Sequence, residues 1–243
     1  KEYPRYLQNK VNIFLSIYIM KNYKKDKISQ TIQNRGLLRP LDVLLVGATG
    51  TGKSSTLNAL FGTTVAKVGD GVDPETQKVS CYLLHDYLRI HDSAGLGDGK
   101  AADLEHAKNI SYELTRTINV NGEVNKFMDL VIVLDGGSKD LGTAYQLLQN
   151  VVLKTIEADR VIIAINQADM AMKGREWNKD LNQPSPILKE FLEEKCFSVK
   201  KRIEEATGLK VSKPVYYSAL LKYNIDGLID HVIAHLPTRR RTI

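Results

Sequence analysis

The stretch "GATGTGKSST", Gly47 to Thr56, holds the densest chemistry in the chain. Gly47 to Ser54 fit the pattern G-x-x-x-x-G-K-[ST] in full, directly after the apolar run "LDVLLV" and directly before a helix-forming segment. Glycines let a backbone wrap around phosphate oxygens and turn its N–H groups inward, and a helix starting near Lys53 adds its positive end. On this reading Thr49, Gly50, Thr51, Gly52, Ser54 and Ser55 line a phosphate chain. Lys53 reaches the β- and γ-phosphates, and the Ser54 hydroxyl is placed for Mg²⁺. The loop alone does not say which nucleotide it holds, or whether that nucleotide is hydrolysed, transferred or only sensed.

Later residues discriminate. "HDSAG" ends an apolar stretch and supplies D-x-x-G as Asp92 and Gly95: a carboxylate at a strand end to hold Mg²⁺ through water, and an N–H to meet a γ-phosphate. "NQAD" ends another such stretch with Asn166, Gln167 and Asp169. A carboxylate there accepts from the N1–H and exocyclic amine of guanine, donors that adenine lacks on that edge. "YYSAL" places Ser218 and Ala219 where backbone N–H groups would face the guanine O6. Between Ser54 and Asp92, Thr76 in "GVDPETQKVS" is the candidate for a threonine that joins Mg²⁺ and the γ-phosphate only in the triphosphate state, ahead of Thr63 and Thr64. Lys53, Thr76 and Gly95 are thus the residues expected to act on the reacting phosphate. "GLGDGKAAD", with three glycines, is expected to be a second switching loop. His91 reads as a strand residue beside the site, Asp98 as a loop acid and Trp177 as local packing rather than as a partner contact.

These residues need strands that end together. "LDVLLVG", "MDLVIVLDGG" and "RVIIAINQAD" are continuous apolar runs, as buried parallel strands are. "KVSCYLL" and "YLRIHD" read as a hairpin about a tight turn, and "KPVYYSA" as the last strand. Helices are expected over "KSSTLNALFG", "DLEHAKNISYELTRTINV", "LGTAYQLLQNVVLKTI" and "NIDGLIDHVIAHLP". Another covers "SPILKEFLEEKCFSVKKRIEEATGL", with Ser185 as N-cap, Pro186 at N1 and Gly208 as stop. The alternation predicts an α/β fold: a doubly wound, mostly parallel sheet with one antiparallel edge strand and helices on both faces. A helical segment precedes it, with Leu7, Val11, Phe14, Leu15 and Tyr18 in helical spacing and stops at Gly36 and Pro40. The expected division is a basic extension over 1–40, a nucleotide-binding domain over 41–237 and a basic tail over 238–243.

The hydrophobic content of 43% and charged content of 26% suit a packed core. No apolar run reaches the roughly 18 residues that a membrane span needs, and no small-residue cleavage site follows Val11–Met20. With only Cys81 and Cys196, both expected as free thiols, the reading is a cytoplasmic protein. The net charge of +6 is uneven: residues 1–40 carry nine Lys/Arg against two acids, and Arg239, Arg240 and Arg241 follow at the other end. A basic end suits RNA, an anionic membrane surface or an acidic protein, and is also what a solvated flank looks like.

From residue 41 to about 237 the sequence resembles the Era/TrmE-like branch of the translation-factor class of GTPases. It is similar above all to the bacterial YfjP/YeeP/YkfA group, whose "QAD…EW…PSP" and "VSA…G…L…LP" stretches are matched by Gln167–Asp169, Glu176–Trp177, Pro184–Pro186 and Ser218–Pro237. The resemblance implies GTP or GDP with Mg²⁺, two switch loops about the γ-phosphate, and GTP hydrolysis. It also points to partners: a second copy or an effector protein, and ribosomal RNA or a membrane surface against the basic N-terminus. Two positions depart from the common pattern. Gln167 stands where N-K-x-D has Lys, and Leu96 stands where many small GTPases place a water-orienting Gln. Some relatives hold a potassium ion with an Asn of the phosphate loop, and the matching position here is Gly50. Slow intrinsic turnover, raised by dimerisation or a partner, is the function this implies, with a GTP-binding assembly module of negligible turnover as the alternative.

Overall fold

The computed structural model describes residues 24–61, 79–93, 100–136, 148–240 and 243. Of the predicted N-terminal helical segment, residues 24–35 are helical as expected; residues 1–23, with Thr63, Thr64, Thr76, Gly95, Leu96 and Asp98, lie outside the described residues.

The sheet follows from its apolar runs. β1 (Leu41–Gly47), β6 (Leu130–Asp135) and β7 (Val161–Ile165) are buried along their whole length. Strands with no solvent-facing side must be covered on both faces. β2 (Val79–His85) and β3 (Leu88–Ser93) turn at Asp86–Tyr87, and β10 is only Val215–Tyr216. The six strands order as β10-β7-β6-β1-β3-β2, all parallel except the β2–β3 pair at the edge. The expected fold class is therefore observed.

Alternation along β1 sorts the core into two layers. Leu44 and Val46 pack with Ile110 and Leu114 of α3 (Lys100–Thr115), and with Leu188, Leu192, Cys196, Val199 and Ile203 of α5 (Pro186–Thr207). Val43 and Leu45 pack with Leu57 of α2 (Lys53–Phe61), Ile28 and Ile32 of α1 (residues 24–35), and Leu228, Val232 and Ile233 of α6 (Ile225–Ala234). Between β6 and β7, Leu148–Val152 is π-helical and runs into α4 (Leu153–Thr155).

α5 is capped as its sequence indicates. Ser185 Oγ accepts from Leu188 N at 3.2 Å, Pro186 occupies the first turn, and Gly208 closes the helix at φ 69°. Gly36 closes α1 at φ 59°, with Leu37 N donating to Ile32 O at 3.0 Å and Gly36 N to Gln33 O at 3.3 Å, a Schellman pair. α1 lies along α6: Lys24 Nζ meets Asp226 Oδ1 at 3.0 Å, and Arg35 Nη1 donates to Leu236 O at 2.5 Å. Its Ile28 and Ile32 are part of the core.

One element differs from expectation. The helix read through to Val120 ends at Thr115, and "TINV" is β4 (Thr117–Val120), paired with β5 (Glu123–Lys126). Asn121 at φ 54° and Gly122 at φ 88° make the turn, the Asn-Gly hairpin signal. A second small hairpin, β8 (Trp177–Asn178) with β9 (Gln183–Pro184), precedes α5. Among the described residues, no helix is long and apolar enough to cross a membrane.

Candidate functional site

The loop from β1 to α2 is shaped by contacts that side chains would prevent. A Cβ on Gly47 would stand 2.9 Å from Leu134 O and from Thr51 Oγ1. Gly50 and Gly52 hold φ at 82° and 87°, where other residues are strained. Thr51 Oγ1 donates to Ala48 O at 2.8 Å, tightening the turn. Lys53 Nζ donates to Gly47 O at 3.0 Å and to Ala48 O at 3.3 Å, so the ammonium arches back over the mouth of the loop. The first-turn N–H groups of α2 open into the same space, and cation and helix end together favour an anion there.

A second loop, leaving β7, is tied to the first. Asn166 is buried and bridges: its Nδ2 donates to Thr51 O at 2.9 Å, and its Oδ1 accepts from Ala219 N at 3.0 Å. Gln167 takes the left-handed conformation, φ 61°, and its Nε2 donates to Gly50 O at 3.0 Å. The neutral amide thus spans to the phosphate loop from the position where Lys is common. Asp169 is buried, and its Oδ1 has no hydrogen-bond partner among the described residues. A buried carboxylate oxygen left without a donor is costly unless a ligand supplies one.

The expectation for Ser218 and Ala219 needs correction. Ser218 N donates to Tyr223 O at 3.1 Å and Ala219 N to Asn166 Oδ1, so both N–H groups are engaged inside the protein. Ser218 Oγ accepts from Leu221 N at 3.1 Å. Both residues are buried, and buried backbone donors must be paired. They shape the loop beside Asp169 rather than present free donors to it.

Asp92 lies on β3 beside Leu45 of β1, and Ser93 Oγ next to it donates to Leu45 O at 3.0 Å. Asp92 Oδ1 is buried with no hydrogen-bond partner among the described residues. Burial pushes its carboxyl up to about 6, against the pull of the Lys53 ammonium. A carboxylate desolvated in this way suits a cation, and the exposed Ser54 in the first turn of α2 adds a hydroxyl oxygen. Asp92 and Ser54 therefore fit Mg²⁺. Thr49 and Ser55 stand on the loop and the first turn of α2, with Ser55 exposed. The expected Thr76 and Gly95 are outside the described residues.

His91 points away from this chemistry. Its Nε2 meets Asp42 Oδ1 at 2.6 Å, and Arg89 grips the same carboxylate through Nε and Nη2 at 2.8 Å each. Burial alone would lower the imidazole, yet hydrogen bonds to Asp42 and Cys81 outweigh it and raise it to about 9. It is a structural ion pair between β1 and β3. Trp177 packs edge-on against Tyr223 at 5.2 Å, as local packing predicts. Not read from the sequence is the contact of Tyr217 OH with Thr56 Oγ1, 2.7 Å apart and both buried.

A family model described as 50S ribosome-binding GTPase matches residues 42–195. The tRNA modification GTPase MnmE of Sulfurovum sp. (strain NBC37-1) is 26% identical over 148 residues, which are 60% of this chain; the chain spans 30% of that relative's length. Among solved structures, Toc33 from Arabidopsis thaliana in complex with GDP and Mg²⁺ superposes with a TM-score of 0.58 at 15% identity, covering 92% of this chain and 94% of that one. Era in complex with MgGDPNP and nucleotides 1506–1542 of 16S ribosomal RNA gives a TM-score of 0.51 at 16% identity, covering 82% and 58%. At these identities the two structures show the fold.

Proposed function

The chain belongs to the family of 50S ribosome-binding GTPases, and from that premise we propose that it is a slow guanine-nucleotide switch, binding GTP and GDP with Mg²⁺ through residues 41–237. The observation that carries the choice of base is Asp169: a buried carboxylate whose Oδ1 has no donor among the described residues, on a loop that Asn166 and Gln167 tie to the phosphate cradle. Guanine brings its N1–H and exocyclic amine to such a group, and adenine has neither donor on that edge. Lys53 and the N–H groups at the start of α2 take the phosphates. Ser54 and Asp92, with Thr76 in the triphosphate state, would hold Mg²⁺, which when bound neutralises charge developing on the phosphate oxygens. Gly95 supplies an N–H to the γ-phosphate.

Leu96 has no group to orient the attacking water. We therefore assign the missing group to a second molecule, either another copy or an effector. The stretches Gln167–Asp169, Glu176–Trp177, Pro184–Pro186 and Ser218–Pro237 support a place in the YfjP/YeeP/YkfA group within the family. The basic residues 1–40 suit an anionic partner, and the family description makes ribosomal RNA our choice. Two free cysteines fit a reducing compartment such as the cytoplasm.

Competition binding tests the reading. GDP is expected to displace a fluorescent guanine nucleotide while ATP does not, and Asp169→Asn is expected to shift preference from guanine to xanthine nucleotides, since an amide can donate to the xanthine C2 oxygen. Equal displacement by ATP and GDP would overturn it. Turnover that is negligible at every protein concentration and with every partner would leave a GTP-dependent assembly module in place of the switch.

A further inference from the structure

Tyr217 is wholly buried in the layer that holds Leu57, Ile132 and Leu228, where an apolar ring would fill the same space. A buried hydroxyl is retained at a cost unless it is paired, and this one meets Thr56 Oγ1 at 2.7 Å. Proton accounting fixes the direction. Thr56 has one hydroxyl proton and donates it to Gly52 O at 2.8 Å, so Tyr217 donates to Thr56. Gly52 O also accepts from Thr56 N at 2.8 Å.

Gly52 C=O and Lys53 N–H belong to one planar peptide and point in opposite directions. Holding that oxygen from below aims the Lys53 N–H at the mouth of the loop. The same tyrosine holds the base-reading side with its main chain: Tyr217 N donates to Ile165 O at 2.9 Å, and Tyr217 O accepts from Ala168 N, next to Asp169, at 3.1 Å. One residue therefore touches both loops of the site from within the core.

We infer that Tyr217 is a positioning residue, which through Thr56 sets the Gly52–Lys53 peptide to receive the β-phosphate and couples it to the loop of Asp169. This rests on the nucleotide-binding reading above and deepens it. Removing either hydroxyl should weaken the phosphate contact and leave base contacts alone. For the full chain, Tyr217→Phe and Thr56→Val are each expected to bind GDP about three- to tenfold more weakly, the worth of about one hydrogen bond. GMP, which lacks the β-phosphate, should change by less than about twofold on the same argument. Thr56→Ser should bind like the unaltered chain, and the double variant no worse than the weaker single one. A generally loosened fold would lower GDP and GMP affinity together, which would overturn the inference, as would unchanged GDP affinity in Tyr217→Phe. If the unaltered chain binds no guanine nucleotide, the functional reading falls and this falls with it. If it binds GDP, and Asp169→Asn loses guanine preference while Tyr217→Phe binds normally, the inference alone is wrong.

Discussion

Gly52 holds φ at 87°, and the Asn166 amide stands where its Cβ would be. Gly50 has nearly the same backbone, φ 82°, but nothing lies within 4 Å of its Cβ position. The two glycines separate strain from collision. Gly50→Ala is expected to cost only left-handed strain, about 1–2 kcal/mol. Gly52→Ala adds the displacement of Asn166, whose amide links Thr51 O to Ala219 N. It should therefore lose GDP affinity by at least about fivefold more than Gly50→Ala, since breaking a buried bridge costs a further ~1–3 kcal/mol. Calorimetric titration of both variants checks the order, and equal losses would show that Asn166 gives way freely.

Elements are where the caps matter. Ser185 Oγ accepts from Leu188 N and donates to Glu176 Oε2 at 2.8 Å, joining the start of α5 to the preceding hairpin. Ser185→Ala should destabilise the fold by about 1 kcal/mol, read as a lower urea midpoint at unchanged slope, and Ser185→Asp should recover only part of it, since it keeps the cap acceptor but sets a second carboxylate against Glu176. This helix was legible because its start, its stop and its buried stripe from Leu188 to Ile203 are all local signals. β1, β6 and β7 were legible for the same reason, each being an unbroken apolar run, and so the mostly parallel sheet stands as expected. β4 was misread because nothing between Thr115 and Thr117 breaks a helix; its marker, Asn121–Gly122, comes only after the strand. What lay beyond the sequence is contact across distance. Tyr217 and Thr56 are 161 positions apart, and the donors of Ser218 and Ala219 are taken up by groups whose proximity only the packing creates.

At the scale of the whole molecule, two histidines oppose each other in how they link folding to pH. His91 is raised to about 9 because Asp42 and Cys81 outweigh the cost of its burial, so its stabilisation is complete below the ordinary value of 6.5 and is lost as pH rises through about 9. His231 on α6 is lowered to about 4 by burial and then by the neighbouring charge of His235, whose ring centroid is 4.4 Å away. Unfolding lets His231 take up a proton below 6.5, so the fold loses stability as pH falls from 6.5 towards 4. Asp92 acts against it on the acid side: raised from 3.8 to about 6 by burial, it favours the protonated fold over that interval. The summed curve therefore hides both histidines, and differences from variants isolate them. The stability gap between the unaltered chain and His231→Gln should widen from pH 4 to 6.5 and then stay level. The gap to His91→Gln should be level below 6.5 and narrow towards pH 9, since Arg89 keeps its grip on Asp42 in that variant. Urea midpoints measured without nucleotide or Mg²⁺ across this range decide it, and gaps that run parallel to the pH axis for both variants would show that neither histidine is linked to folding in this way.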